Sequence, residues 1–456
     1  MKRLPRVFGN LPAHPPRAHV IARGKHGISR RDISDNALKV LKRLHEAGFE
    51  GYLVGGCVRD LLIGIKPKDF DVTTNAHPEQ VVKLFKNARL IGRRFKLVHV
   101  QFGREIIEVA TFRAHHTNIE PDDHHTKAHH SSHSSSGRIL RDNVYGSIEE
   151  DAMRRDFTIN ALYYTLDSFA VHDYAHGMDD INARVIRLIG NAEQRYREDP
   201  VRMLRAIRFA AKLNFTIEKS TLTPIASLGH LLHDIPPSRL FDEILKLFLS
   251  GYAERTFELL QKHQLLMHVL PATAQIMNSN DPIAAAFLQK ALINTDKRIA
   301  DGKPVTPAFL FAAFLWYPQV RLQQQLEMEG MPTFPARHEA AQTIITNQCN
   351  HTAIPRRFSV PMREIWDFQA RLPQRHGKRA DATLANPRFR AAYDFLLLRV
   401  EAGEPFAELA QWWTVYQVAD EAERRAMIKK IADGNPSLKK KRRSPRKPKP
   451  QPDAAV

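Results

Sequence analysis

Apolar residues along this chain recur with two different periods, and the change of period divides it. Leu38, Leu41 and Leu44 repeat at helical spacing behind Ser34 or Asp35, either of which suits a helix N-cap. Tyr52, Leu53 and Val54 form a short apolar run that stops at Gly55-Gly56. Leu97–Phe102 and residues 106–111 are rich in alternating or β-branched side chains and predict strands. From about residue 185 the helical period takes over almost without interruption. Asp199-Pro200 is a carboxylate cap followed by a first-turn proline. Behind it, Met203, Leu204, Ile207, Ala210 and Ala211 form one stripe, with Arg202, Arg205 and Arg208 on the opposite face. Another helix opens at Pro237, carries Leu240, Phe241, Ile244, Leu245 and Phe248 on one side, and ends near Gly251. Residues 308–317 predict a buried helix stopped by Pro318.

Size and charge add to this picture. The 456 residues exceed one typical core and suggest two or three domains, and 43% apolar residues suffice to build them. A formal net charge of +19 points to a polyanionic partner, nucleic acid or an anionic surface. No run of about 20 apolar residues offers a transmembrane segment. Two cysteines, Cys57 and Cys349, exclude a disulfide framework and a cysteine zinc site, so a reducing, cytoplasmic setting is expected. Cys57 is either a source of thiol sensitivity or a small residue where only a small one fits. Residues 1–31 read as a disordered basic arm and 114–140 as a His/Ser-rich surface loop, with metal binding the competing reading of its histidines. Eight of the eleven residues 439–449 are Lys or Arg, so 421–456 reads as a disordered basic tail.

Candidate chemistry gathers in three segments. The first is Gly55-Gly56-Cys57-Val58-Arg59-Asp60, followed by Asp69-Phe70-Asp71. On a strand, positions i and i+2 share a face, so Asp69 and Asp71 project together while Phe70 faces the core. Adjacent carboxylates repel, and a divalent cation relieves that repulsion. Mg²⁺ fits, since one or two carboxylates plus substrate phosphates commonly hold it. The glycines let backbone N–H groups approach a triphosphate. Glu108, between Ile107 and Val109, is either a third carboxylate facing that pair or an ordinary exposed strand residue. The second segment runs from Glu150 to Ala161. In it Arg155 suits phosphate and Asn160 suits sugar hydroxyls, while Asp156 either ligates metal or orients Arg155. The third begins at Arg197, where Asp199 and Arg202 present an acceptor and a fork donor within one turn.

The run GGCVRDLL, a short basic spacer and KDFDVTT, together with RRDFTINA and EDPVR, resembles the tRNA nucleotidyltransferase/poly(A) polymerase superfamily over about residues 27–415. The resemblance implies an α+β fold: a small polymerase-β-like head with a mixed sheet, then a mostly helical neck and body. It implies a catalytic head over 32–184, a base-recognising neck over 185–250 and a helical, RNA-binding body over 251–420. Asp69 and Asp71 would hold Mg²⁺, with Mn²⁺ as substitute, and Asp156 would be essential. Gly55, Gly56, Arg59 and Arg155 would handle the triphosphate. Asp199 and Arg202 would template the Watson–Crick edge of the incoming base, with Arg205 as a further contact. Residues 90–100, LIGRRFKLVHV, resemble the segment marking bacterial poly(A) polymerases. The expected activity is template-independent transfer of AMP from ATP to RNA 3′-hydroxyls, releasing pyrophosphate. The RNAs expected are mRNA fragments and regulatory or structured RNAs, with RNA-degradation proteins as further partners. The rivals are a CCA-adding tRNA enzyme and a non-catalytic RNA-binding protein. Arg371, Arg375, His376, Lys378 and Arg379 read as an RNA-binding surface, with Phe389, Trp412 and Trp413 either stacking on bases or serving as core.

Overall fold

A computed structural model of the chain describes residues 17–92, 96–114, 132–133, 139–141 and 144–434. They fall into two compact units, Met1–Val269 and Leu270–Val456. In the first unit the strands are β1 (His19–Ile21), β2 (Gly51–Val54), β3 (Asp71–Thr74), β4 (Ala88–Ile91), β5 (Leu97–Phe102), β6 (Glu105–Thr111), β7 (Ser132–His133), β8 (Ile139–Arg141), β9 (Leu162–Tyr164), β10 (Val171–Asp173), β11 (Val185–Ile186) and β12 (Thr216–Ile217). Eight of them build one sheet in the order β1-β10-β9-β2-β3-β6-β5-β4. Every neighbouring pair is antiparallel except β3 and β6, which run parallel. The fold is therefore α+β with a mixed sheet.

The sheet forms where the sequence alternates. On β5, Val98 and Val100 are buried, and on β6, Ile107, Val109 and Thr111, so one face is core and the other is left for polar groups. Against the core face lies α1 (Asp35–Glu46), capped by the Ser34 hydroxyl accepting from the Asn36 N–H. It buries Ala37, Leu38, Val40, Leu41 and Leu44; each large apolar side chain removed from water contributes about 1.5–3 kcal/mol. The remaining helices of this unit are α2 (Gly56–Leu62), α3 (Pro78–Leu84), α4 (Ile148–Arg154), α5 (Gly177–Ala183), α6 (Ala192–Glu198), α7 (Val201–Leu213), α8 (Lys219–Leu228), α9 (Pro237–Phe248), α10 (Ala253–Lys262) and α11 (Leu266–Val269). The stripe on α9 departs from expectation by one position: Leu247 is fully buried and Leu245 is not.

The second unit is helical: α12 (Pro271–Asn278), α13 (Pro282–Ala300), α14 (Pro307–Met328), α15 (Thr333–His351), α16 (Arg356–Arg371), α17 (Arg379–Leu384), α18 (Phe389–Glu401), α19 (Ala407–Val418) and α20 (Glu421–Gly434). Pro318 does not stop α14, contrary to the sequence expectation; the helix runs through it to Met328. A mid-helix proline orphans the carbonyl four residues back. Here that carbonyl belongs to Phe314, and it accepts the Thr273 hydroxyl at 2.8 Å.

Two further expectations are corrected. The arm read over residues 1–31 is structured from residue 17: β1 closes one edge of the sheet against β10, with Ile21 buried. The C-terminal segment begins with the helix α20 rather than unstructured chain. Residues 1–16 and 435–456, and most of the His/Ser-rich tract, lie outside the described residues, although β7 and β8 within that tract pair antiparallel.

Candidate active site

Asp71 opens β3, while Asp69 lies two residues earlier in the approach to the strand rather than on it as expected. Phe70 between them is buried, and Asp69 is exposed. The parallel ladder puts Glu108 directly beside Asp71. On its other side Glu108 faces His99 of β5, whose Nε2 lies 3.2 Å from Glu108 Oε1. Burial, then the charge of Glu108, pushes the Asp71 carboxyl up to about 6; Arg155 opposes the rise and Asp69 adds to it. Three acids thus load the middle of the sheet with mutually repelling charge. Among the described residues, no three His, Cys, Asp or Glu side chains already enclose an ion. An open pair of carboxylates completed by substrate phosphates is how Mg²⁺ is commonly held, so the donor set fits that ion.

The turn before α2 brings a cation to these acids. Gly55 has φ of +78°, a backbone state that side-chain-bearing residues rarely adopt, and it caps the helix. A Cβ there would lie 3.7 Å from Arg155 Nη1, so the arginine fork closes over the glycine turn. Arg155 is anchored from behind: Asp151 Oδ2 accepts from its Nε and Nη2 at 3.2 and 2.9 Å, and Tyr163 OH accepts from Nε at 2.8 Å. Burial alone would weaken its charge; Tyr163 and Asp151 overcome that and hold it protonated.

Arg59 and Asn160 sit deeper than their expected roles require. Arg59 is 3% exposed, donating to Asp60 Oδ1 and, through Nη1, to Asn160 Oδ1 at 2.6 Å. Asn160 donates in turn to Asp156 Oδ1 at 3.2 Å, so both ends of its amide are engaged within the protein. Asp156 neither joins these acids nor orients Arg155, which corrects both roles weighed for it. Its Oδ2 accepts from Arg205 Nε at 2.8 Å and from Nη2, and its Oδ1 also receives the Phe157 N–H. Burial would raise its pKa, but Arg205 holds Asp156 well below the usual carboxylate range. Asp151, which sequence reading passed over, takes the orienting role. Its signal was the i,i+4 spacing to Arg155.

On α7 the arginine row is not a solvated face. Arg202 is 9% exposed; its Nη1 donates to Glu198 Oε2 at 2.9 Å and to the Arg195 carbonyl at 2.7 Å. Asp199 pairs with a residue that no pattern along the chain singled out: Arg239 of α9 donates to its Oδ2 at 2.7 Å. Asp199 and Arg202 therefore have separate partners. Around them cations outnumber acids. Burial, followed by Arg113, Arg195, Arg155 and Arg202, pulls Arg154 down to about 9. Burial, followed by Arg202, pulls Arg195 down to about 10 against the help of Glu198. A polyphosphate is the ligand that relieves such a cluster.

In the second unit, Phe389 and Trp413 are core, and Trp413 Nε1 donates to the Leu372 carbonyl at 3.0 Å. Trp412 is half-buried, stacked on Tyr416 at 4.4 Å with the Arg375 guanidinium 5.2 Å from its ring centre.

Known proteins resemble this chain over most of its length. Three family profiles match: the poly(A) polymerase head domain over residues 51–187, the probable RNA- and SrmB-binding site of polymerase A over 214–277, and the polymerase A arginine-rich C-terminus over 329–448. The poly(A) polymerase I of Salmonella typhimurium is 49% identical over 445 residues, covering 97% of this chain and 94% of that one. That of Escherichia coli O157:H7 is 50% identical over 440 residues, covering 96% and 93%. A CCA-adding enzyme of Lactobacillus helveticus is 36% identical over only 51% of this chain and 55% of its own length. Among solved structures, a tRNA-processing enzyme in an apo form aligns over 86% of this chain and 99% of its own, with a TM-score of 0.55 and 22% identity, a likeness of fold. On the near full-length identity, the chain belongs to the bacterial poly(A) polymerase I family of nucleotidyltransferases.

Proposed function

We propose that this polynucleotide adenylyltransferase adds AMP from ATP to RNA 3′-hydroxyl ends, releasing pyrophosphate, in the cytoplasm and alongside RNA-degrading proteins. The observation that carries the reading is Arg155, which contributes both to the electrostatics of Asp71 and to the arginine cluster. A triphosphate lying across it meets metal-binding acids at one end and guanidinium groups at the other.

Asp69 and Asp71, with Glu108 beside them, are the residues that would hold Mg²⁺ or Mn²⁺. When bound, the ion supplies Lewis-acid activation of the attacking 3′-oxygen and charge neutralisation at the phosphates. Gly55 and Gly56 offer backbone close to the phosphates, and Arg155 orients them, its fork fixed by Asp151 and Tyr163. Arg59 and Asn160 act by bracing that turn against Asp156. The same brace passes through Arg205 into α7, so phosphate grip and base selection by Asp199 and Arg202 share one hydrogen-bonded frame. Residues 32–184 would form the catalytic head, 185–250 the neck and 251–420 the body. The excess positive charge draws RNA without regard to sequence.

The test incubates the chain with Mg²⁺, an unstructured RNA and each NTP separately, then sizes the products. Long extension with ATP alone is expected. C-then-A addition confined to tRNA ends would reassign it. Asp69→Ala and Asp71→Ala are expected to abolish extension while RNA binding persists; turnover in either variant would overturn the metal-holding roles.

A further inference from the structure

The second unit contains a cavity of about 520 Å³ lined by the first turns of α15, the end of α16 and α17. That volume lies within the range of sites for small organic ligands, about 300–1,000 Å³. Three guanidinium groups line it, those of Arg337, Arg371 and Arg379, against the single carboxylate of Asp367. Among the described residues, neither Arg337 nor Arg371 makes an ion pair, so the cavity carries net positive charge. Arg379 is already aimed, donating from Nη1 to Gln374 Oε1 at 3.0 Å. At the rim stands Phe334, 68% exposed, its ring held edge-to-face by His338 at 4.6 Å. An exposed aromatic face and guanidinium groups lining one cavity form a surface to which a planar, anionic ligand is complementary.

We propose that this cavity binds one unpaired nucleotide of the RNA strand, its base stacked on Phe334 and its flanking phosphates on Arg371 and Arg379. The assignment rests on RNA being this chain's substrate and adds an anchor for it in the second unit. Aromatic stacking tolerates any base, as a substrate-general enzyme requires. Asp367 gives the site an acceptor suited to a base with an exocyclic amino group, such as the adenine of a growing tail. The cations are spread over three elements instead of converging on a glycine turn, which suits successive phosphates of a strand rather than one triphosphate.

The test uses the full chain without ATP and follows the fluorescence anisotropy of a short labelled oligoadenylate across a range of salt. Arg371, Arg379 and Phe334 are exposed, so their replacement leaves the core intact, and a melting curve checks this. R371A/R379A is expected to weaken binding at least ten-fold and to reduce the salt slope by about 1.4, at about 0.7 per lost phosphate contact on single strands. F334A is expected to weaken binding about ten-fold with the slope unchanged. Unaltered affinity and slope in R371A/R379A would overturn the anchor, as would unaltered affinity in F334A. Because no transfer is measured, failure here leaves the adenylation reading standing. Failure of AMP transfer by the parent leaves this binding result interpretable.

Discussion

Replacing Asp71 by Asn is expected to stabilise the metal-free protein while abolishing its chemistry. The Asp71 carboxyl sits at about 6 rather than 3.8, raised first by burial and then by Glu108 and Asp69 against the pull of Arg155. At about 1.4 kcal/mol per unit, the ionised carboxylate costs the metal-free fold about 3 kcal/mol. Partial exposure of the side chain trims this to about 1–3 kcal/mol. Because the folded value lies above the unfolded one, the stability contribution is complete below about pH 4 and is lost as pH rises through about 6. In chelator at pH 7.5, Asp71→Asn should therefore gain about 1–3 kcal/mol, or about 2–10 °C in melting temperature. Near pH 4 it should gain nothing. Calorimetry reads the whole chain, whose two units need not melt as one transition. Tryptophan fluorescence separates them, since Trp316, Trp366, Trp412 and Trp413 all lie in the second unit. The gain should appear in a calorimetric transition that fluorescence does not follow. Added Mg²⁺ should stabilise the parent and not the variant. A variant less stable than the parent at pH 7.5, or a gain that persists at pH 4, would refute the reasoning.

Three other outcomes follow from the same geometry. Cys57 is buried and its thiol is pushed up to about 12, by burial first and then by Asp71, so it belongs to the core and not to a reactive turn. A thiol-titrating reagent at pH 8 should count one group in the native chain, from Cys349, and two after denaturation; prompt native reaction of both would contradict this. Asp156→Asn weakens its part-buried pair with Arg205 and should lower stability by about 1–3 kcal/mol, read as an earlier melt of the first unit; an unchanged melt would show the pair to be idle. Arg239→Ala releases Asp199 and should raise KM for ATP several-fold and relax the preference for ATP over CTP with little change in melting, whereas unaltered nucleotide kinetics would remove Asp199 from base selection.

Much of this protein was legible along one dimension. The stripe of α1, the alternation of β5 and β6 and the start of α7 follow from periods of 3.6 and 2 that any neighbour must bury. Glu108 could be placed on the polar face because Ile107 and Val109 must face inward. Its partner could not, since only the parallel pairing of β3 with β6 sets it beside Asp71. The same limit explains the misassigned charges. Asp156 belongs to Arg205 and Asp199 to Arg239 because helices packed from elsewhere in the chain deliver those guanidinium groups. Pro318 reads locally as a helix stop, and only the Thr273 hydroxyl, brought in by folding, repairs the lost bond. Periodicity is a property of the chain, and it determined which faces are buried. Which charge or polar group meets which is a property of distance in three dimensions, and the tertiary structure alone decided it.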